Sequence, residues 1–271
     1  MFADIQSQVK PASAFAERIE RLLDRVECRR METEAELDAV LRLRYEAYLK
    51  EGAIEPSKTQ KLADAFDDTD NVYNFGIYID GELASALRLH VLFNVRQVSP
   101  AMESFGEFLV PHLKADKLIV DPNRFVADYR LARLYPELPY VTLRPAYVAC
   151  VHFGFDLVTM TVRKEHEAFY RRAVFASPIC PPRPYPLLSK PIGLLLVDFV
   201  RDAERILRRH PYWAASEAER QALFGKGPTS LCSRGKAASI VPAVAPARGR
   251  LMPMGTQRSR PTLVPPLAAA R

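Results

Sequence analysis

An arginine lies within the apolar face of a predicted helix, where its charge needs a partner. Five residues of the segment 33–50 recur at helical spacing and form one stripe: Leu37, Val40, Leu41, Arg44 and Tyr48. A buried guanidinium is tolerated only where a carboxylate or a polar ligand pairs with it. Further along the chain, the strand-like run 118–126 contains Asp121 and Arg124. The sequence therefore predicts a pair of Arg44 and Asp121, either as a purely structural ion pair or as one that also shapes a ligand pocket.

Other charged residues could extend this predicted site. The loop 53–71 is rich in acids, among them Asp64 and Asp67, and Arg88 shares one strand face with His90. The planar fork of Arg124 matches a carboxylate, so it could bind either a substrate carboxylate or one of these two aspartates. Arrangements of this kind suit polar or anionic ligands.

Local signals indicate the elements that carry these residues. Thr33 and Glu36 form a capping box that starts a helix ending near Lys50. Asp80-Gly81 joins the runs 72–79 and 82–92 as a hairpin, and Ser99-Pro100 opens another helix. Pro122 interrupts the strand 118–128 and predicts a bulge there. The remaining predicted elements are a helix at 13–27, then a helix at 145–153, a strand at 156–163, a helix at 165–175, a proline-rich loop at 180–186, a strand at 192–199 and a helix at 200–210. Helices and strands alternate without an internal repeat, which predicts an α/β or α+β fold with a mixed sheet.

Composition excludes several classes of function. Four scattered cysteines without a CxxC pair favour reduced thiols and a cytoplasmic location, and they support neither a disulfide framework nor a metal site. No apolar run is long enough for a transmembrane helix, and no signal peptide is visible.

The positive charge of the chain is concentrated at its end. Residues 225–271 contain eight Lys/Arg and no Asp/Glu, and subtracting these eight from the net charge of +6 leaves −2 for residues 1–224. This proline- and alanine-rich stretch is predicted to be a disordered tail, either a solvated extension without a specific role or one that touches anionic lipid. Because its basic residues are not interleaved with aromatic residues, a nucleic-acid partner is not expected.

The order of several motifs resembles known acyltransferases. Residues 168–175, which follow a strand, resemble the late helix of GNAT-superfamily N-acyltransferases. The combination Arg44-x-x-x-Tyr48, Asp64-x-x-Asp67, Arg88 and Asp121-x-x-Arg124-Phe125 resembles the acyl-homoserine-lactone synthases, a branch of that superfamily. The stretches 43–48, 119–126, 183–186 and 190–193 are similar to the long-chain N-acyl amino acid synthases, typified by N-acyl tyrosine synthases. The resemblance covers roughly residues 26–212, after an N-terminal helical extension (1–25). Lactone synthases usually carry Glu in place of Asp121 and a tryptophan soon after the first arginine helix, whereas the only tryptophan here is Trp213.

The resemblance implies a GNAT-like fold and transfer of a long-chain fatty acyl group from a thioester to the α-amine of an amino acid, with no bound cofactor. It implies a general acid at Tyr170, catalytic roles for Asp121 and Arg124, and oxyanion-binding backbone groups near Phe125 and Val126. The expected substrate-binding side chains are Arg44, Tyr48, Asp64, Asp67 and Arg88.

The absence of a glycine-rich turn indicates which acyl donor is expected. Coenzyme A-dependent GNAT enzymes usually have a glycine-rich turn after this strand, where N–H groups cradle the pyrophosphate. Residues 127–153 contain no glycine but include Arg130, Arg133 and Arg144. The expected donor is therefore acyl-[acyl carrier protein], with its phosphopantetheine thioester, and these arginines are either docking charges for it or solvated surface residues. Two alternatives stay open: a lactone-type signal synthase, and a non-catalytic GNAT-like binding module.

Overall fold

The computed structural model describes residues 14–185 and 188–228. Its α-helices are α1 (Ala14–Leu23), α2 (Glu34–Lys50), α3 (Pro100–Lys114), α4 (Tyr129–Leu134), α5 (Leu138–Phe153), α6 (Glu167–Val174), α7 (Phe199–Arg209) and α8 (Glu217–Phe224). Its strands are β1 (Val26–Arg30), β2 (Val72–Ile79), β3 (Glu82–Leu92), β4 (Ile119–Ala127), β5 (Leu157–Val162), β6 (Ser177–Tyr185) and β7 (Leu188–Asp198). Short 3-10 turns occur at Ala65–Asp68, Lys164–His166 and Pro211–Trp213.

The strands form one mixed sheet in the order β1-β2-β3-β4-β5-β7-β6. All neighbours are antiparallel except β4 and β5, which are parallel and pair only where Ile119 lies opposite Leu157 and Val120 opposite Val158. The two central strands then part. A gap therefore opens in the middle of the sheet, beside the second half of β4.

Helices cover both faces of this sheet. Helices α5, α6 and α7 pack on the face that carries Phe75, Leu87 and Leu89. Helix α3 packs on the other face against Ile119 and Leu194, and α2 lies on that same side of β3 through contacts with Ala86. Strand alternation sends Arg88 and His90 toward α2 and α3, because their neighbours Leu87 and Leu89 face the α5 side.

The strongest local signals are confirmed. Thr33 and Glu36 form both bonds of the capping box, and the Ser99 hydroxyl accepts from the Met102 N–H at the start of α3. Asp80 and Gly81 both have positive φ, of 50° and 83°, as the type I′ hairpin requires.

Three other predictions are wrong. The helix predicted at 13–27 ends at Leu23, and β1 follows it as an edge strand of the sheet. The helix predicted at 145–153 begins at Leu138 and contains Pro145. The proline-rich segment predicted as a loop is largely β6, which lies at the other edge, where prolines need not donate to a further strand.

In the described ranges, no helix is long and apolar enough to cross a membrane. The predicted basic tail covers residues 225–271, of which the structure describes only 225–228. Its predicted lipid contact lies outside the described residues.

Candidate active site

Three arginines and two aspartates form one buried network beside β3 and β4. Arg88 is its centre: Nη1 lies 2.6 Å from Asp64 Oδ1 and 2.7 Å from Asp67 Oδ1. Arg44 Nη1 lies 2.6 Å from the same Asp67 oxygen, and Arg124 Nη2 lies 2.5 Å from Asp64 Oδ2. The structure thus brings together five of the predicted site residues, from α2, β3, β4 and the 3-10 turn at Ala65–Asp68.

The predicted pair of Arg44 and Asp121 is wrong. Arg44 donates to Asp67 and to the side-chain oxygen of Asn74, at 2.6 Å each. Asp121 instead accepts from the Thr159 hydroxyl at 2.7 Å and from the Ala101 N–H at 3.1 Å. It lies outside the network, and burial raises the pKa of its carboxyl.

The two aspartates are fixed by the backbone as well as by the arginines. Asp64 caps the 3-10 turn by accepting from the Phe66 N–H at 2.9 Å, and Asp67 Oδ2 accepts from the Asp64 N–H at 3.0 Å. Burial alone would raise the pKa of each carboxyl. The adjacent guanidiniums of Arg88 and Arg124 outweigh burial and hold the pKa of Asp64 well below its usual range, and Arg44 and Arg88 lower that of Asp67.

Charge in the network is not balanced. Three guanidiniums face two carboxylates, which leaves one excess positive charge. Unpaired donors accompany this excess charge, because Arg124 Nη1 and Arg44 Nε are buried without a hydrogen-bond partner among the described residues. Buried donors of this kind are rare in native proteins unless a ligand or water completes them.

Arg124 reaches this position because β4 is bulged. Asn123 pairs with Arg88 and Val126 with Ala86, so Arg124 and Phe125 together oppose the single residue Leu87. Arg124 has a φ of 50°, in the left-handed region that a non-glycine residue seldom adopts. The predicted bulge is therefore present but lies at Arg124–Phe125, since Pro122 stays in register opposite Leu89.

A hydrogen bond closes one end of the gap between β4 and β5, and polar side chains lie beyond it. The hydrogen bond from Thr159 to Asp121 bridges the two strands one residue past their last paired positions. Tyr48 lies over Arg124, with the guanidinium carbon 5.5 Å from its ring centre. Tyr48 also acts electrostatically on Tyr170, whose pKa burial raises, so the Tyr170 hydroxyl stays protonated at neutral pH. Past the bridge, no described strand pairs with β4 on the β5 side, where the backbone beside Phe125 and Val126 lies.

Two further polar residues adjoin the network: Asn123, which no sequence pattern singled out, and His90, which shares a strand face with Arg88 as expected. Asn123 accepts from Arg88 Nε at 2.6 Å and its amide lies 3.1 Å from His90 Nδ1. His90 Nε2 lies 3.0 Å from the Phe66 carbonyl. Because the carbonyl needs a donor and the amide N–H₂ an acceptor, His90 is held as the neutral Nε2–H tautomer. Its one basic nitrogen is occupied, so it has no free site to accept a proton from substrate.

We expect the buried neutral His90 to make stability pH-dependent. Burial, reinforced by Arg88, lowers its pKa to about 3. The unfolded chain then binds a proton below about pH 6.5 that the folded chain does not, so stability falls as the pH falls. Between pH 7 and pH 5 this one group should cost about 2 kcal/mol of unfolding free energy. Urea titrations should show this slope in the wild type and lose about that much of it in His90→Gln; equal slopes in both would contradict the assignment.

The predicted docking arginines lie in two different settings. Arg130 and Arg133 are on the exposed helix α4, where Arg130 pairs with Glu82 and Arg133 donates to the Tyr129 hydroxyl at 3.1 Å. Arg144 is mostly buried and holds Glu219 and two backbone carbonyls of the segment 212–214. Its guanidinium joins α5 to α8, whereas Arg130 and Arg133 stay exposed at the surface.

Comparison with known proteins finds a matching family and a solved structure with a similar fold. The family model described as "N-acyl amino acid synthase FeeM" matches residues 39–198. The solved structure of FeeM, an N-acyl amino acid synthase from uncultured soil microbes, is similar with a TM-score of 0.54 at 16% identity, over 70% of this chain and 93% of that one. This likeness bears on the fold, and the expected GNAT-like α/β acyltransferase fold is confirmed.

More remote likenesses extend to two CoA-dependent acyl-homoserine lactone synthases. BjaI has a TM-score of 0.48 at 17% identity, over 66% of this chain and 83% of that one. MesI has a TM-score of 0.47 at 18% identity, over 72% and 98%. A search of curated proteins gives no match. The site residues Arg44 to Arg124 and Tyr170 all fall within the span that the family model matches.

Proposed function

We propose a substrate pair for this chain, which belongs to the N-acyl amino acid synthase FeeM family and is therefore an N-acyltransferase. In this proposal it moves a long-chain fatty acyl group from acyl-[acyl carrier protein] to the α-amine of an amino acid. The observation that carries the proposal is Nη1 of Arg124, which is buried at the bulge of β4 and has no hydrogen-bond partner among the described residues.

The excess charge of the network supports a carboxylate-bearing acceptor. An uncompensated guanidinium in a buried site is costly, and an anionic ligand removes that cost by supplying the missing acceptor. A carboxylate on Arg124 Nη1 would balance three guanidiniums with three anions. An amine without a carboxylate would leave the imbalance in place, which favours amino acids over simple amines as acceptors.

The same gap offers the groups that acyl transfer needs. The neutral amine attacks the thioester carbon, the C–N bond forms, the C–S bond breaks, and the amine proton must leave while the thiolate takes one up. Backbone N–H groups of β4 near Phe125 and Val126 are our candidates for stabilising the oxyanion. Tyr170 is our candidate for donating a proton to the thiolate, since it is protonated and acts on the same tyrosine, Tyr48, as the acceptor site. In this scheme Asp121 braces the two strands and touches no substrate.

The segment that follows β4 supports a donor carried on acyl carrier protein. Helix α4 begins at Tyr129 without a glycine-rich turn and exposes Arg130 and Arg133. Tyr129 is half-exposed and lies between the Lys50 ammonium and the Arg133 guanidinium, which adds a third positive charge to this patch. An acidic carrier protein complements such a surface and needs no pyrophosphate cradle.

The experiment is an assay of the purified protein with mixed amino acids and a long-chain acyl group on either carrier protein or coenzyme A. Mass spectrometry should detect N-acyl amino acids, formed faster from the carrier-bound donor at low salt. Product from neither donor, with folded protein, would contradict the proposed substrate pair, and equal rates from both would contradict the carrier-protein part of it.

Reversing the charge of α4 should weaken donor binding alone. In Arg130→Glu/Arg133→Glu, we expect KM for the acyl carrier protein donor to rise about tenfold at low salt and to approach the wild-type value at high salt. Arg208→Glu reverses an equally exposed arginine on α7 and serves as the matched control. The rate with a free pantetheine thioester should stay unchanged in both variants; a parallel loss there would show that α4 affects the chemistry and not docking.

A further inference from the structure

Helices α6 and α7 form a basic surface that the proposed function does not use. Together they contain six arginines and three acids, although residues 1–224 as a whole carry a charge of −2. Arg201, Arg205 and Arg208 recur at helical spacing on the exposed side of α7, and the exposed Arg209 follows them. Among the described residues, the ion pairs of α7 involve only Arg201 and Arg208. The charges of Arg205 and Arg209 therefore stay uncompensated.

One aromatic ring joins the two helices to the strand that follows. Phe175 is the left-handed C-cap of α6, with a φ of 59°, and the chain enters β6 at Ser177. The guanidinium carbons of Arg205 and Arg209 lie 3.6 Å and 4.9 Å from the centre of this ring. Arg209 also donates to the Arg172 carbonyl. These cation–π contacts hold both uncompensated charges at the junction of α6, α7 and β6.

The strand beyond this junction is an apolar edge of the sheet. It contains no acid, and four of its exposed residues are prolines: Pro178, Pro181, Pro182 and Pro184. Ile179 is 41% exposed and lies where the pairing with β7 is irregular. Because proline lacks an N–H, this edge cannot form a full ladder with a further strand. The exposed apolar side chains therefore suit a partner that needs no directional hydrogen bonds.

A cavity shows that the apolar edge and the basic helices adjoin each other. It has a volume of about 430 Å³ and is lined by residues of both β6 and α6. Its lining combines the apolar side chains of Ile179 and Leu195 with the cations Lys164 and Arg171, and with Glu167, which pairs with both cations. Exposed apolar side chains bordered by Lys and Arg are typical of surfaces that lie in the headgroup region of a membrane.

We propose that this α6–α7–β6 face docks the protein on an anionic lipid bilayer. Arg205 and Arg209 contact lipid phosphates, which their planar guanidiniums match in geometry, and Ile179 enters the boundary between headgroups and acyl chains. The inference does not depend on the donor or the acceptor of the proposed function. If that function holds, the long-chain product leaves the enzyme beside the bilayer in which its acyl chain dissolves.

Two protein partners fit the α6–α7–β6 face less well. A second copy of this chain would bring the same positive charges to a symmetric contact, where like charges repel. An acidic carrier protein would neutralise the arginines, but it would leave Ile179 and the prolines against a charged surface. An anionic bilayer offers phosphates to the arginines and apolar chains to the edge strand.

The test measures binding of the full chain to vesicles by cosedimentation. We expect binding to vesicles of phosphatidylcholine and phosphatidylserine in equal parts, none to phosphatidylcholine alone, and weaker binding at high salt. Each arginine near an anionic surface strengthens binding about fivefold, so Arg205→Gln/Arg209→Gln should bind about 30-fold more weakly. Arg130→Gln/Arg133→Gln removes the same charge from α4, is the matched control and should bind as the wild type does.

The apolar half of the face is tested separately. Ile179→Ser should weaken binding to the mixed vesicles several-fold, because its side chain no longer enters an apolar environment. Val98→Ser, on the loop before α3, removes a side chain that is 49% exposed and should leave binding unchanged.

Each other outcome overturns the inference. If the wild type does not bind the mixed vesicles, the face is not a membrane surface. If Arg205→Gln/Arg209→Gln binds as the wild type does, another part of the chain holds the bilayer, and equal losses in the α4 variant would indicate attraction by overall charge. If the α7 variant instead raises KM for the acyl carrier protein donor, the face docks a protein.

Two further measurements keep these outcomes distinct. Thermal unfolding of each variant should match the wild type within a few degrees, which shows that lost binding does not come from misfolding. Failure of the proposed function would appear as absent acyl transfer by the wild type in solution, a quantity that vesicle binding does not measure.

Discussion

Asp64→Ala should lower the unfolding free energy by about 3–5 kcal/mol, the largest stability effect we expect from one side chain at this site. Asp64 accepts from both Arg88 and Arg124, and its side chain is only 6% exposed. Without it, Arg88 keeps Asp67 and Asn123, but Arg124 loses its one carboxylate and stays buried. The cost is that of an uncompensated charge in the interior, which exceeds that of a lost surface ion pair.

Urea denaturation measures this effect directly. The midpoint should fall with little change in slope, because the surface exposed on unfolding is nearly the same. Asp70→Ala removes an exposed aspartate from the same segment and should stay within about 0.5 kcal/mol of the wild type. A loss below about 1 kcal/mol in Asp64→Ala would mean that water reaches both guanidiniums, and the network would then not be a buried one.

The pH dependence of this contribution follows from the lowered pKa of Asp64. A carboxyl whose pKa is lower in the folded chain stabilises it fully above the unfolded value of about 4. That stabilisation is lost as the pH falls below this value toward the folded pKa. The acid limb of the stability curve should therefore be shallower in Asp64→Asn than in the wild type, in a pH window below the one that His90 governs.

Local chemistry made much of the fold predictable from sequence. The capping box at Thr33, the Asp80-Gly81 turn and the Ser99-Pro100 helix start each depend on neighbours within a few residues, and each is found where it was expected. Strand β1 was missed because Val26–Arg30 has little apolar alternation and is stabilised by pairing with β2. Strand β6 was missed because its prolines are acceptable only at an edge, and edge position is a property of the whole sheet.

The site was predictable in its membership but not in its pairing. Periodicity singled out Arg44 on the apolar stripe of α2, a strand face shared with His90 pointed to Arg88, and the match of a planar guanidinium to a carboxylate pointed to Arg124; the structure brings the three into one network. The partner of Arg44 was not readable, because Asp67 and Asp121 are both acids on elements that could approach α2, and the sheet order decides between them.

Arg124→Lys should lower kcat/KM for the amino acid on the order of 100-fold while the protein stays folded. Lysine keeps a positive charge for Asp64, so the network retains its neutralising partner. It cannot also reproduce the second N–H₂ group, Nη1, which has no partner among the described residues, because an ammonium on a flexible stem lacks the planar fork. The loss should appear chiefly in KM, since a carboxylate is held equally in the ground state and the transition state.

Arg124 is a sharper test than Arg44, although both lie in the network. Arg44 is a fully buried residue of α2, so Arg44→Ala should lose activity because the protein does not fold. That loss would say little about how the acceptor binds. Arg42→Lys alters an exposed arginine of α2 and is the matched control for Arg124→Lys. If Arg124→Lys retained wild-type kcat/KM, the carboxylate would have to bind elsewhere, and the excess charge of the network would be a structural feature without a ligand. If it lost activity equally toward the decarboxylated amine, Arg124 would act on the shape of the β4 bulge, and the oxyanion donors at Phe125 and Val126 would become the groups to test.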